Sequence, residues 1–160
     1  MMKLLTNLLG RGELKLSEAG SRDAAAIAAL HAVSFRHGWS EQEVEGLLLD
    51  RNVIGHRALA GAKLAAFILS RLAADEAEIL SVAVARAYQG RGLARSLLTL
   101  HLRRLAGLHA RAVFLEVDEH NTPAIRLYNR AGFHEVARRP NYYAAPGERA
   151  ATALVLRRDL

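Results

Sequence analysis

The sequence predicts a single α/β domain, a mixed sheet of about six to seven strands with helices on both faces. The chain has 160 residues, of which 51% are hydrophobic, and this is enough to build one core. Segments of strand-like alternation are interleaved with segments of helical periodicity along most of the chain. One segment, residues 112–117, is almost continuously apolar, which is typical of a strand covered on both faces.

The first half of the chain reads as one strand, two helices and three further strands. Leu14-Lys15-Leu16 alternates like a short strand, and Ser21 is a predicted cap of a helix that runs to about Phe35. Ser40-Glu41-Gln42-Glu43 is a capping box that opens a second helix through Leu49. Three strands follow at residues 57–60, 63–72 and 76–84, with turns at residues 61–62 and 73–75.

The second half alternates helices with strands. A long leucine-rich helix is predicted over residues 93–107, and Asn121-Thr122-Pro123 opens another helix that ends at Gly132. The remaining strands are predicted at residues 112–117, 133–138 and 152–158. We expect residues 1–12 to form an N-terminal extension and residues 13–160 to form the domain.

Composition narrows the classes of function. The chain has no cysteine, which removes disulfides, cysteine nucleophiles and thiolate metal sites, and which is compatible with a reducing cytoplasm. No apolar run approaches the roughly 20 residues of a membrane span, so no membrane partner is expected. The net charge of +6 favours an anionic partner, such as a phosphorylated cofactor or a nucleic acid, although an arginine-rich genome explains it equally well.

A glycine-containing loop is the most specific local feature. The strand that ends at Val82-Ala83-Val84 leads into a loop with Gly90 and Gly92, and a helix follows directly. Amides in the first turn of a helix lack partners and attract anions, although a plain tight turn would have the same glycine spacing. No acidic residue occurs between Arg86 and Leu115. Six arginines lie in that stretch: Arg86, Arg91, Arg95, Arg103, Arg104 and Arg111.

The pattern Q-x-x-G-x-A, formed here by Gln89, Gly92 and Ala94, resembles motif A of the GNAT superfamily of N-acetyltransferases. The resemblance continues through Leu115-Glu116-Val117, Asn121, Ala131-Gly132-Phe133 and residues 139–143. It is greatest to the RimI-type ribosomal-protein-alanine N-acetyltransferases. One departure is Arg86-Ala87, where the family often has an acidic residue followed by proline.

This resemblance implies that acetyl-CoA is the cosubstrate and that the loop amides bind its pyrophosphate. Val82 and Val84 would act through their backbone N–H groups, and Asn121 would cap its helix and contact CoA. The cofactor-binding residues implied are Val82, Ala83, Val84, Gln89, Gly90, Arg91, Gly92, Leu93, Ala94, Arg95 and Asn121. No metal is expected, because no pair of the seven histidines has the H-E-x-x-H spacing and no carboxylate cluster completes a site.

Two residues are candidates for acid–base chemistry. Strand alternation places Glu116 with Phe114 and Asp118 on one face, where a solvated strand end would explain it equally simply. Tyr128 shares a helix face with Ala124 and Ala131, which is usual for a core tyrosine. The family resemblance implies that Glu116 is the general base, acting through water, and that Tyr128 is the general acid to the CoA sulfur.

The function expected is therefore N-alpha-acetylation of a protein N-terminus, with alanine as the first residue and a ribosomal protein as the acceptor. An alternative keeps the reaction but transfers the acetyl group to a small-molecule amine or a lysine side chain. A different class, a non-catalytic basic RNA- or ribosome-binding module, would have no use for Glu116 and Tyr128, so no direct nucleic-acid function is expected. Trp39 and Tyr142-Tyr143 are candidates to line the acceptor groove, although packing explains Trp39 equally well.

Overall fold

Seven strands and four α-helices make up the structure, a computed structural model that describes residues 13–140 and 151–160. The strands are β1 (Leu14–Glu18), β2 (Val53–Ala60), β3 (Lys63–Ala73), β4 (Glu76–Val84), β5 (Ala112–Asp118), β6 (His134–Arg139) and β7 (Ala153–Asp159). The helices are α1 (Ala24–Ser34), α2 (Glu41–Leu49), α3 (Leu93–Gly107) and α4 (Thr122–Arg130). The predicted N-terminal extension and the pair Tyr142-Tyr143 lie outside the described residues.

The strands form one mixed sheet in the order β1-β2-β3-β4-β5-β7-β6, which confirms the predicted fold class. All neighbouring strands are antiparallel except β4 and β5. Helix α3 connects these two parallel strands, as a crossover between parallel strands requires. Among the described residues, no helix is both long enough and apolar enough to cross a membrane.

The predicted start of the first helix was wrong. Ser21 is not its cap; Ser21–Asp23 form a 3-10 turn, and α1 begins at Ala24. Asp23 is the reason, because its Oδ2 accepts a hydrogen bond from the Gly20 amide at 2.8 Å while its Oδ1 pairs with Arg57 of β2. This tertiary ion pair fixes the entry to α1 in a way that helix propensity does not indicate.

Strand β2 also differs from the prediction, because it begins at Val53 and not at Arg57. Its extra residues pair with β3 as far as Arg71, which lies opposite Val53. Gly55 permits this, because a Cβ there would lie 2.8 Å from Cδ2 of Leu69. The strand is therefore extended by pairing with a neighbour and by close packing over a glycine.

The other two predicted side-chain caps, at Ser40 and Asn121, are present. Ser40 Oγ accepts from the Glu43 amide at 3.1 Å, and Glu43 Oε2 accepts from the Ser40 amide at 3.0 Å. Asn121 Oδ1 accepts from the Ala124 amide at 3.3 Å and so caps α4. These local hydrogen bonds satisfy amides that helix starts leave open.

Apolar clusters cover the two faces of the sheet. Helices α3 and α4 pack on one face, in a cluster that includes Leu97, Leu98, Val113, Leu115 and Tyr128. Helices α1 and α2 pack on the other face, in a cluster that includes Ile27, Val44, Phe67, Leu69 and Ala83. Alternate residues of β4 therefore face different helices, whereas the buried residues of β5, Val113, Leu115 and Val117, all face α3 and α4.

A buried polar chain lies beneath α3. His101 is fully buried; its Nδ1 lies 2.7 Å from Nδ1 of His56, and its Nε2 lies 2.7 Å from Oγ of Ser70. Burial, together with the neighbouring His56, lowers the pKa of His101 to about 3, and burial also lowers the pKa of His56. Both rings are therefore neutral near pH 7, and they link α3 to strands β2 and β3.

Candidate active site

The site begins at a gap in the sheet between the parallel strands β4 and β5. Their ladder contains only three pairs, from Glu76 opposite Ala112 to Glu78 opposite Phe114. A register shift opposite Leu69 and Ser70 leaves Leu80 of β4 without a partner in β3. Beyond these points the two strands continue without pairing, so the sheet is open between their C-terminal halves.

Two backbone amides of β4 face this gap. The Ala85 amide donates to the Ala65 carbonyl of β3 at 2.8 Å. Because backbone N–H groups alternate in direction along a strand, the Val82 and Val84 amides point the other way, toward β5. No pair with β5 exists at that level, so these two donors have no partner in the neighbouring strand.

The loop after β4 brings further donors to the same place. Gly90 and Gly92 have φ angles of 75° and 77°, the left-handed region that favours glycine. The first hydrogen bond of α3 runs from the Ser96 amide to the Gly92 carbonyl at 3.1 Å. Within the described residues, the amides of Gly90, Gly92, Leu93 and Ala94 have no hydrogen-bond partner, and donors of this kind at a helix start can accept an anion.

Gln89 holds this loop against the end of β4. Its side-chain amide donates to the Val84 carbonyl at 2.9 Å, and a 3-10 turn over Arg86–Tyr88 precedes it. Arg86 and Ala87, which depart from the family pattern, therefore lie in a regular turn. This turn does not cover the amides of the loop that follows it. In this structure Gln89 acts on the shape of the loop through its contact with the strand.

A cleft of about 1660 Å³ joins the gap, the loop and the groove between α3 and α4. Every residue predicted to bind the cofactor lines it except Arg91, which is exposed on the loop. The described lining residues include no aspartate or glutamate but six arginines. These are Arg86, Arg95, Arg103, Arg126, Arg130 and Arg158.

The cleft arginines differ from most of the other arginines that the structure describes. Within the described residues, none of the six forms an ion pair, whereas Arg57, Arg104 and Arg111 outside the cleft each lie beside a carboxylate. Arg158 donates instead to the Ala131 carbonyl at 2.6 Å. Uncompensated guanidinium groups around a cleft produce a positive potential, which suits a ligand with several phosphates.

Tyr128 of α4 lies on the α3–α4 side of the gap. It is 7% exposed, lines the cleft, and packs edge-on against Phe133 with ring centroids 5.6 Å apart. Burial raises the pKa of Tyr128 to about 12, so its hydroxyl stays protonated at neutral pH. Within the described residues the hydroxyl has no hydrogen-bond partner, and it is available to a ligand in the cleft.

Glu116 lies on the other face of the sheet. Its neighbours Leu115 and Val117 are buried against α3 and α4, so strand alternation directs the Glu116 side chain to the opposite side. The side chain is 21% exposed, does not line the cleft, and forms an ion pair with Arg139 of β6 at 2.9 Å. Glu116 and Tyr128 are thus separated by the sheet, one on each side of its opening.

Sequence reasoning missed the wall that α1 contributes to the cleft. Leu30, Val33, Ser34 and Phe35 line it, and Phe35 packs on His31 with ring centroids 4.5 Å apart. His31 also stacks on Trp39 at 4.1 Å and accepts the Trp39 amide at 3.0 Å. Trp39 lines a smaller cavity of about 470 Å³ together with Leu47 and Leu80. The apolar residues Val33 and Phe35 at the end of α1, which are exposed in the structure, were the sequence signal that could have revealed this wall.

The part of the chain that the structure describes contains no candidate metal-binding site. Within residues 13–140 and 151–160, no three His, Asp or Glu side chains are grouped to hold a metal ion. His31, His56 and His101 are buried, and the first and last of these have hydrogen bonds to Trp39 and Ser70. Four other histidines, His37, His109, His120 and His134, are exposed.

The sequence matches the acetyltransferase (GNAT) family over residues 24–133, and the chain therefore belongs to that family. It is an N-acetyltransferase. It is 34% identical over 118 residues to the ribosomal protein bS18-alanine N-acetyltransferase of Escherichia coli strain K12, covering 72% of this chain and 79% of that protein. The protein of the same name from Haemophilus ducreyi is 34% identical over 91 residues, or 57% of this chain and 63% of that protein.

Solved structures agree with this assignment. The crystal structure of the ribosomal-protein-S18-alanine N-acetyltransferase from Escherichia coli superposes with a TM-score of 0.83 at 27% identity, covering 91% of this chain and 93% of that one. Arabidopsis thaliana NAA60 in complex with acetyl-CoA has the same fold, with a TM-score of 0.80 at 20% identity over 92% of this chain and 98% of that one.

Proposed function

We propose that this enzyme transfers the acetyl group of acetyl-CoA to the N-terminal amine of a protein, with alanine as the first residue and a ribosomal protein as the acceptor. The observation that carries the proposal is the opening between β4 and β5, which adjoins the amide-lined loop on one side and Glu116 on the other. The relatives named as alanine N-acetyltransferases of a ribosomal protein support the choice of acceptor.

Acetyl-CoA matches the charge and shape of the cleft. Its pyrophosphate would accept hydrogen bonds from the amides of Gly90 to Ala94 at the positive end of the α3 dipole. The thioester arm would extend into the gap, where the Val82 and Val84 amides would donate to its carbonyl groups. Arg86 and Arg95, which line the cleft near the loop, would offset the phosphate charge.

The reaction needs a neutral amine at the thioester carbon. An α-amino group has a pKa of about 7.7–8.0, so only a weak base is needed at neutral pH. Glu116 would take one proton from the ammonium group through water and release it to solvent. The nitrogen then bonds to the carbonyl carbon and gives up its second proton to water, an amide donor stabilises the developing oxyanion, and the C–S bond breaks.

Tyr128 would supply the proton that the departing sulfur needs, and solvent would then restore it. Against a free alkyl thiolate, with a pKa of about 8.5, a phenol with a pKa of about 12 is a poor donor. Negative charge builds on the sulfur as its bond to the tetrahedral carbon breaks, so Tyr128 would hydrogen-bond to the sulfur during that step and deliver the proton as the thiolate leaves. Placing the base and the acid on opposite sides of the gap lets the amine enter from one side while the thiol leaves from the other.

Mass spectrometry of peptides incubated with enzyme and acetyl-CoA tests the acceptor. A peptide with a free N-terminal alanine should gain about 42 Da, the mass added by one acetyl group. Its pre-acetylated form and a peptide whose only free amine is an internal lysine should show no gain. Modification of lysine or of a free polyamine alone would contradict the proposed acceptor. Stabilisation of the fold by acetyl-CoA but not by RNA would separate an enzyme from an RNA-binding module.

A further inference from the structure

An ion pair connects the proposed base to an edge strand two positions away in the sheet. Arg139 Nη1 of β6 lies 2.9 Å from Glu116 Oε1 of β5, although β7 separates these strands. Glu116 pairs with Val155 of β7, and Arg139 lies opposite Ala153 of the same strand. The arginine side chain must therefore cross β7 diagonally, a span of about 10 Å at the usual strand spacing.

The contact contributes little to stability. The Arg139 side chain is 57% exposed, so water and salt screen its ion pair with Glu116, whose own side chain is 21% exposed. Its neighbour Arg138 has a comparable exposure of 59% but pairs with Glu135 of its own strand. The two arginines engage different carboxylates, and Arg138 is therefore a control of similar exposure on the same strand.

We propose that Arg139 is a positioning residue for acetyl transfer, since its ion pair holds the Glu116 carboxylate in the orientation that receives the acceptor's proton. The inference rests on the proposed role of Glu116. A glutamate side chain has three rotatable bonds, and only some of its rotamers direct the carboxylate toward the opening between β4 and β5. An ion pair that engages one oxygen restricts those rotamers before the amine arrives, which lowers the entropic barrier to productive proton transfer.

Single substitutions give the first test, using whichever amine the wild-type enzyme acetylates. Arg139→Met should lower kcat roughly tenfold and leave the KM for acetyl-CoA within about twofold, because the cofactor loop is not involved. Arg139→Lys, which keeps the charge, should recover part of the loss. Arg138→Met should have wild-type kcat. Circular dichroism should show both methionine variants folded, with melting temperatures within about 3 °C of the wild type.

A double-substitution cycle with Glu116→Gln gives the decisive test. If Arg139 acts through Glu116, Arg139→Met should change kcat less than about twofold once Glu116 is glutamine. An equal loss in both backgrounds, or a wild-type kcat for Arg139→Met alone, would overturn the inference while leaving the base in place. Wild-type turnover of Glu116→Gln itself would instead overturn the proposed base and, with it, the role of Arg139.

Discussion

Lowering the pH from 7 to 5 should destabilise the protein through His101. Its pKa is about 3 in the folded state, where the ring is buried beside His56, and about 6.5 when the chain is unfolded. A histidine with a lowered folded pKa favours the folded state most above pH 6.5, and this contribution is lost as the pH falls toward 3. At pH 5 the unfolded state binds about one more proton at His101 than the folded state does.

The size of the effect follows from that difference in bound protons. One proton corresponds to a slope of about 1.4 kcal/mol per pH unit, so the free energy of unfolding should fall by about 2 kcal/mol from pH 7 to pH 5 through His101. A small domain has only about 5–15 kcal/mol of stability, so this loss is measurable. His56, whose pKa is also lowered by burial, adds to the slope of the wild type.

Urea unfolding at half-unit steps from pH 5 to 7.5 would measure the slope in the wild type and in His101→Met. Met cannot bind the proton, so the slope of the variant should be smaller by about one proton, or roughly 1.4 kcal/mol per pH unit. The loss of the hydrogen bond to Ser70 lowers the stability of the variant at every pH, but it does not change this slope. Parallel curves for the wild type and His101→Met would refute a buried neutral His101.

The remaining predictions concern the site. Gly92→Glu should abolish acetyl-CoA binding in isothermal titration, because it places bulk and negative charge at the loop; Gly61→Glu is the control, since Gly61 has a similar φ of 60° and equally open surroundings in the β2–β3 turn. Unchanged affinity in folded Gly92→Glu would contradict a pyrophosphate site there. Glu116→Gln and Tyr128→Phe should each lose about 10²–10⁴-fold in turnover while still binding acetyl-CoA. Higher pH should partly restore Glu116→Gln, because more of the amine is then neutral, but not Tyr128→Phe; pre-steady-state turnover at the wild-type rate for Tyr128→Phe would make Tyr128 a core residue.

The parts of the site that depend on neighbours in sequence could be predicted from the sequence. The left-handed glycines of the loop, the start of α3 at Leu93 and the cap at Asn121 all lie where the sequence predicts them. Each of them is set within a few residues, by the φ angles that glycine permits and by side chains that satisfy nearby amides. The motif around Gln89 indicated the family for the same reason, because its residues act together through one short loop.

What the sequence by itself determined is therefore the order of the elements, the glycine-containing loop before α3 and the two faces of β5. Only the tertiary structure decided that β4 and β5 separate after three pairs, that β2 begins at Val53, and that Asp23 and not Ser21 sets the entry to α1. It also decided that Arg139 reaches Glu116 across β7 and that the cleft is lined by six arginines that have no ion pair among the described residues. Local backbone preferences act over a few residues, whereas strand pairing and ion pairs join residues far apart in sequence, and their partners are known only once the sheet order and register exist.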